Sequence, residues 1–221
     1  MRITEGQLRR IIREELEGSD DRAIVVLGST FAGPVYVVAY DRRELERAIE
    51  RERARNPIAP DPGDYFGVIA GLTLKRNDEY GECNGAWRVT TAASNERGWG
   101  TKVYLAAFEW LRNISSDRTS VSTSAETLWK SLARKGIVEP EPFDDRKNPQ
   151  TPPTSDDCKV FPSRDPVLNS SFRLKGSIPS EVSQLLDDGN EHLSSFGSMR
   201  PDAEKLLRVG IGNLFVDLYD N

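Results

Sequence analysis

Two glycines one residue apart, Gly98 and Gly100, stand where a strand-like run gives way to a helix-like run. The preceding segment, Ala86-Trp87-Arg88-Val89-Thr90-Thr91-Ala92, is rich in β-branched and aromatic side chains. From Thr101 to Asn113 the apolar residues Val103, Tyr104, Ala107, Phe108 and Leu111 recur on one helical face. Between them runs Asn95-Glu96-Arg97-Gly98-Trp99-Gly100-Thr101. Glycine lets the backbone approach a ligand closely, and the first amides of a helix have no acceptor within it. The positive end of the helix adds attraction for phosphate oxygens. This spacing suits a pyrophosphate-bearing ligand, a nucleotide or coenzyme A.

Other residue types with chemical potential are less well placed. Glu96, Glu109 and Asp117 are candidates to accept a proton from an amine, and Tyr104 to donate one, although the spacing of Tyr104 also fits core packing. Two aspartate pairs, Asp144-Asp145 and Asp156-Asp157, flank a proline-rich bend, and Asp and Pro shape turns more often than they hold a cation, so no metal site is expected. The sole histidine, His192, lies in a polar context and reads as a surface residue. Cys83 and Cys158 are too few for a disulfide scaffold and form no Cys-x-x-Cys pair.

These residues need a frame, and the rest of the sequence provides one. Thr4, Gln7 and the face Leu8, Ile11, Ile12 and Leu16 predict an amphipathic helix over 3–17, either docked on the body or acting as a leader (1–18). Residues 22–28 and 34–40 predict a hairpin, followed by a charged helix that Asp41 caps and that runs to about Arg55. The segment 56–63 is too proline-rich to continue it. Further strands are expected over 65–75 and 86–92, and a second amphipathic helix over 123–134. Residues 139–164 carry six prolines among aspartates and lysines and read as a long irregular excursion. Helices near 180–186 and 201–208 and a short apolar end, 214–218, complete the chain. The expected class is α/β: a twisted mixed β-sheet with helices on both faces over 20–138, and a partly irregular extension over 139–221.

Composition narrows the function. At 221 residues the chain can bury one sizeable core, and its net charge of −5 offers no global attraction for nucleic acid. Neither a membrane span nor the apolar centre of a signal peptide is visible, so a cytoplasmic protein without a membrane partner is expected.

The motif Asn95-x-x-Gly98-x-Gly100, followed by Ser122, Ala125, Leu128 and Trp129 at their spacing, resembles the acyl-CoA N-acyltransferase (GNAT) superfamily. Asn95 replaces the usual Gln or Arg, Ser122 a usual Asn, and Trp129 the Tyr that often protonates the departing thiolate. The runs Asp117-Arg118-x-x-Val121-Ser122 and Asp144-Asp145-x-x-Asn148-Pro149 resemble GNAT-like proteins of tailed phages, and the first 17 residues are similar to leaders on marine-phage proteins. The resemblance implies transfer of an acyl group, acetyl above all, from acyl-CoA to a primary amine of a small molecule or protein. It places the cofactor against Val89, Thr90, Thr91, Asn95, Arg97, Gly98, Trp99, Gly100, Thr101 and Ser122; Tyr104 is then a candidate acid in place of the missing tyrosine, and Glu96, Glu109, Asp117 or an ordered water a candidate base. The alternative it leaves open is a non-catalytic protein that uses the scaffold to bind a virion or host protein, in the host cytoplasm or the virion.

Overall fold

The computed structural model describes residues 21–28, 33–54, 64–76, 85–116, 121–145, 157–158 and 169–219. The expected helix over 3–17 and the loop over 56–63 lie outside them. Strands β1 (Arg22–Leu27) and β2 (Val35–Asp41) form the expected antiparallel hairpin, Arg22 opposite Asp41 and Leu27 opposite Tyr36. Helix α1 (Arg42–Ala54) starts where expected, because the Asp41 carboxylate accepts the Glu44 amide at 3.0 Å. Then come β3 (Val68–Lys75), β4 (Trp87–Ser94), α2 (Trp99–Leu111), β5 (Asn113–Ser115) and α3 (Thr123–Arg134). The chain continues through β6 (Val138–Pro142), β7 (Asp144–Asp145), β8 (Asp157–Cys158), β9 (Ser170–Leu174), α4 (Ser180–Ser195), one 3₁₀ turn (Gly197–Met199) and α5 (Arg200–Tyr219).

Seven strands make one mixed sheet in the order β1-β2-β3-β4-β5-β9-β6, and β7 pairs with β8 apart from it. Every neighbour in the large sheet is antiparallel except β4 and β5, which run parallel because α2 carries the chain back between them. Alternation along each strand feeds two cores. Ile24, Val35, Val37 and Ala39 face one, with Val103 and Phe108 of α2, Trp129 of α3 and Leu185 of α4. Ala23, Val25, Leu27, Val38 and Tyr40 face the other, with Leu45 of α1, Leu193 of α4 and Leu207 of α5. Both sheet faces are thus covered, which explains the nearly unbroken apolar runs of β1 and β2.

Several elements depart from expectation. Residues 138–142, read as the start of an irregular stretch, form an edge strand, where Pro140 and Pro142 are tolerated because β9 lies on one side only. β9 itself was not expected. The helix near 180–186 continues to Ser195 through Gly189, and α5 runs unbroken from Arg200 through the supposed separate apolar end. At Gly189, α4 crosses β1 so closely that a methyl group would overlap the Ile24 carbonyl, and the helix thereby covers the sheet edge.

His192 is not a surface residue, since its side chain is only 9% exposed. Its Nδ1 lies 3.1 Å from the Tyr40 hydroxyl and its Nε2 3.0 Å from Glu46 Oε1, so it ties β2, α4 and α1 together. Burial pushes the Tyr40 phenol above its ordinary pKa. Cys158, packed on Phe143, is disulfide-bonded, and the sequence has one other cysteine, Cys83.

Candidate functional site

The site begins where β4 leaves its neighbours. Its register with β3 shifts so that Thr73 faces Thr91 while Leu74 faces Val89, which leaves Thr90 as an inserted residue. The Thr90 hydroxyl donates to the Thr73 carbonyl at 3.1 Å and so fastens the bulge to β3. On the other side β4 pairs with β5 at Trp87↔Ile114 and Arg88↔Ser115 and then parts from it. Among the described residues no strand flanks Val89–Ser94 on that side, and the gap opens a cleft between β4, α2 and α3.

The glycine turn forms one end of this cleft. The Ser94 hydroxyl donates to the Glu96 carbonyl at 2.7 Å and tightens the turn. Gly98 then takes the left-handed conformation, φ 87° and ψ −25°, as the N-cap of α2, and no side chain caps the helix. A Cβ on Gly98 would have no heavy atom within 4 Å, so the space beside this residue is open. The cleft has a volume of about 490 Å³, within the usual range of small-molecule sites. Asn95, Arg97, Gly98, Gly100 and Thr101 line the end at the glycine turn, and Ser122, Ala125 and Leu128 of α3 also line the cleft.

A smaller chamber of about 90 Å³ adjoins it, lined by Val89, Thr90 and Thr91 from the free side of β4 and by Trp129 and Phe215. Tyr104, Ser122, Ala92 and Ala125 belong to the walls of both spaces. The fold therefore brings nine of the ten residues expected to hold the cofactor, all but Trp99, to the walls of these two adjoining spaces. No family model, curated protein or solved structure matches the chain.

Individual side chains are placed less uniformly. Trp99 is not in the cleft wall: its indole is 7% exposed in the first core, with the Arg22 guanidinium 5.4 Å and the Lys102 ammonium 4.5 Å from the ring. Glu96 lies in the wall, but its carboxylate is clasped by Arg22 at 2.5 and 3.1 Å, which ties the turn to β1. Lys102 pairs with Glu181 at 2.6 Å, and Arg97 at the rim is exposed. Ser122 caps α3 by accepting the Ala125 amide at 3.2 Å, which uses its oxygen and not its hydrogen.

Tyr104 is 4% exposed and stands edge-on to Trp129, with ring centres 5.1 Å apart. Trp129 is itself stacked on Phe172 at 4.5 Å and edge-on to Phe108. Among the other carboxylates considered as bases, Glu109 bonds Arg112 at 3.0 Å, and Asp117 lies outside the described residues. The described residues contain no group of three or more His, Cys, Asp or Glu suited to a metal, and none of their helices is long and apolar enough to cross a membrane.

Two participants escaped the sequence reading. Arg22 is simply the first residue of an apolar strand, and its partner Glu96 is 74 positions away. Phe215 lies in a helix whose apolar residues serve mainly the second core. No local pattern marks either of them.

Proposed function

We propose that the protein is an acyltransferase that takes a small acyl group, acetyl above all, from acyl-CoA to a primary amine. The observation that carries the reading is the uncapped start of α2, opened by the left-handed Gly98, at the mouth of a cleft that leads along the free edge of β4. The first-turn amides of Trp99, Gly100 and Thr101 suit pyrophosphate oxygens, and the open space at Gly98 is where such a group fits. Backbone groups of Val89–Thr91 on the side away from β3, which no strand among the described residues flanks, suit the linear arm of the cofactor.

Bound acyl-CoA supplies an activated carbonyl carbon, which the amine nitrogen attacks as the carbon–sulfur bond breaks. The chain's own part is to hold that carbon in the inner chamber and to provide a proton for the sulfur. Tyr104, shared by both spaces, is the group suited to that second task. Glu96 braces the turn through Arg22, and water takes the proton lost by the amine.

A second reading, a scaffold that binds a virion or host protein without acyl transfer, is favoured by one observation. Trp129 stands where the resemblance places a thiolate-protonating tyrosine, and it is 1% exposed within an aromatic cluster. Calorimetric titration with CoA and acetyl-CoA separates the two. Micromolar binding followed by amine-dependent release of CoA thiol supports the enzyme. Absence of binding at millimolar ligand refutes it.

A further inference from the structure

The inner chamber is bounded by side chains from both cores. Trp129 and Val89 belong to the first core, and Phe215 packs against the second. An intact sheet separates its two faces completely, so one space can touch both only where strands part. That place is the gap between β4 and β5 beyond Arg88 and Ser115. The cleft therefore passes into the sheet, and the ring of Phe215, carried by α5, meets it from the opposite face.

We infer that Phe215 sets the acyl specificity of the site by closing the inner chamber to all but the shortest acyl groups; this rests on the acyl-CoA reading. At about 90 Å³ the chamber is the narrow end of a site whose outer cleft has about 490 Å³, so a lengthened acyl chain meets its walls first. Its other walls cannot yield easily. Trp129 is fixed by stacking on Phe172 and by edge contacts with Tyr104 and Phe108, and Val89 and Thr91 are held in the β3–β4 ladder. Phe215 is the large side chain of the wall that comes from outside this cluster, and it is only partly buried. Each methylene added beyond the fitted length costs about tenfold or more in a pocket that cannot expand.

The test is calorimetric titration of the full chain with CoA, acetyl-CoA, butanoyl-CoA and hexanoyl-CoA, repeated on Phe215→Ala, Phe215→Leu and Phe215→Trp. Wild type binds acetyl-CoA at least tenfold more tightly than butanoyl-CoA, and Phe215→Ala removes most of that difference without altering affinity for CoA. Phe215→Trp weakens acetyl-CoA at least tenfold and spares CoA. Should Phe215→Ala fail to fold, Phe215→Leu carries the same test with a smaller gain for butanoyl-CoA. CoA binding with an unchanged chain-length profile in the Ala or Leu variant overturns the inference and leaves the acyl-CoA reading standing. No binding of CoA itself overturns both.

Discussion

The glycine turn offers a prediction in which two neighbouring substitutions move stability in opposite directions. Gly98 holds φ 87°, a conformation that costs an L-residue about 1–2 kcal/mol, so Gly98→Ala should destabilise the fold by about that amount. For a chain of this size that corresponds to a fall in Tm of about 3–6 °C. Gly100 lies within α2, and a Cβ there would sit 3.7 Å from Ser94 Cβ, an ordinary contact. Gly100→Ala should therefore raise stability by about 0.5–1 kcal/mol, the usual helical gain over glycine.

Ligand binding should divide differently. On the acyl-CoA reading phosphate oxygens occupy the open space beside Gly98, and a side chain there displaces them from the first-turn amides. At about 1.5–3 kcal/mol for each charge-assisted bond, CoA affinity should fall at least tenfold. Gly98→Asn is the decisive control, because Asn tolerates the left-handed region yet still fills the space. Differential scanning fluorimetry reads the first effect and calorimetry the second. If Gly98→Asn binds CoA as tightly as wild type, the phosphates do not lie against this turn and the reasoning fails.

Three further outcomes follow from the packing. Gly189→Ala forces α4 away from the Ile24 carbonyl and should cost at least about 2 kcal/mol, seen as a lower denaturant midpoint; an unchanged midpoint refutes the close approach. The Tyr40 pKa is raised by burial above its ordinary value of 10.0, so the neutral phenol stabilises the fold below pH 10 and that contribution is lost as pH climbs past it. The slope is at most about 1.4 kcal/mol per pH unit, and Tyr40→Phe should abolish it in alkaline melts. Cys158 is disulfide-bonded, so reduction should lower Tm, by analogy with the typical 2–5 kcal/mol for a native bridge; identical melting with and without dithiothreitol would falsify this.

Much of this architecture is legible locally. The β1–β2 hairpin follows from apolar runs broken by glycines, α1 from the Asp41 cap, and α3 from the Ser122 cap with Trp129 and Leu132 on one face. The glycine turn is legible for the same reason, since strand, turn and helix are contiguous. What stayed hidden depends on distant partners. Nothing local marks Val138–Pro142 as a strand, because its prolines suit only an edge and β9 defines that edge. Helix α4 runs past its expected end at 186 through Gly189, where β1 presses against it. The neighbours of His192 in sequence are polar, whereas Tyr40 and Phe196 close around its ring in the fold. Trp99 stands between the two glycines, yet the helix turns its side chain into the core.

The short β4–β5 contact has one more consequence. A continuous hydrogen-bond ladder imposes a fixed spacing on its strands, whereas here, among the described residues, β4 and β5 are joined only through Trp87↔Ile114 and Arg88↔Ser115. Beyond that seam the inner space is walled by side chains, among them Tyr104 of α2 and Trp129 of α3, whose rings meet edge-on. Side-chain volume, unlike ladder spacing, changes by single substitutions. The width of the opening is thus an evolvable quantity, one that can drift between narrow and wide forms while every strand keeps its register.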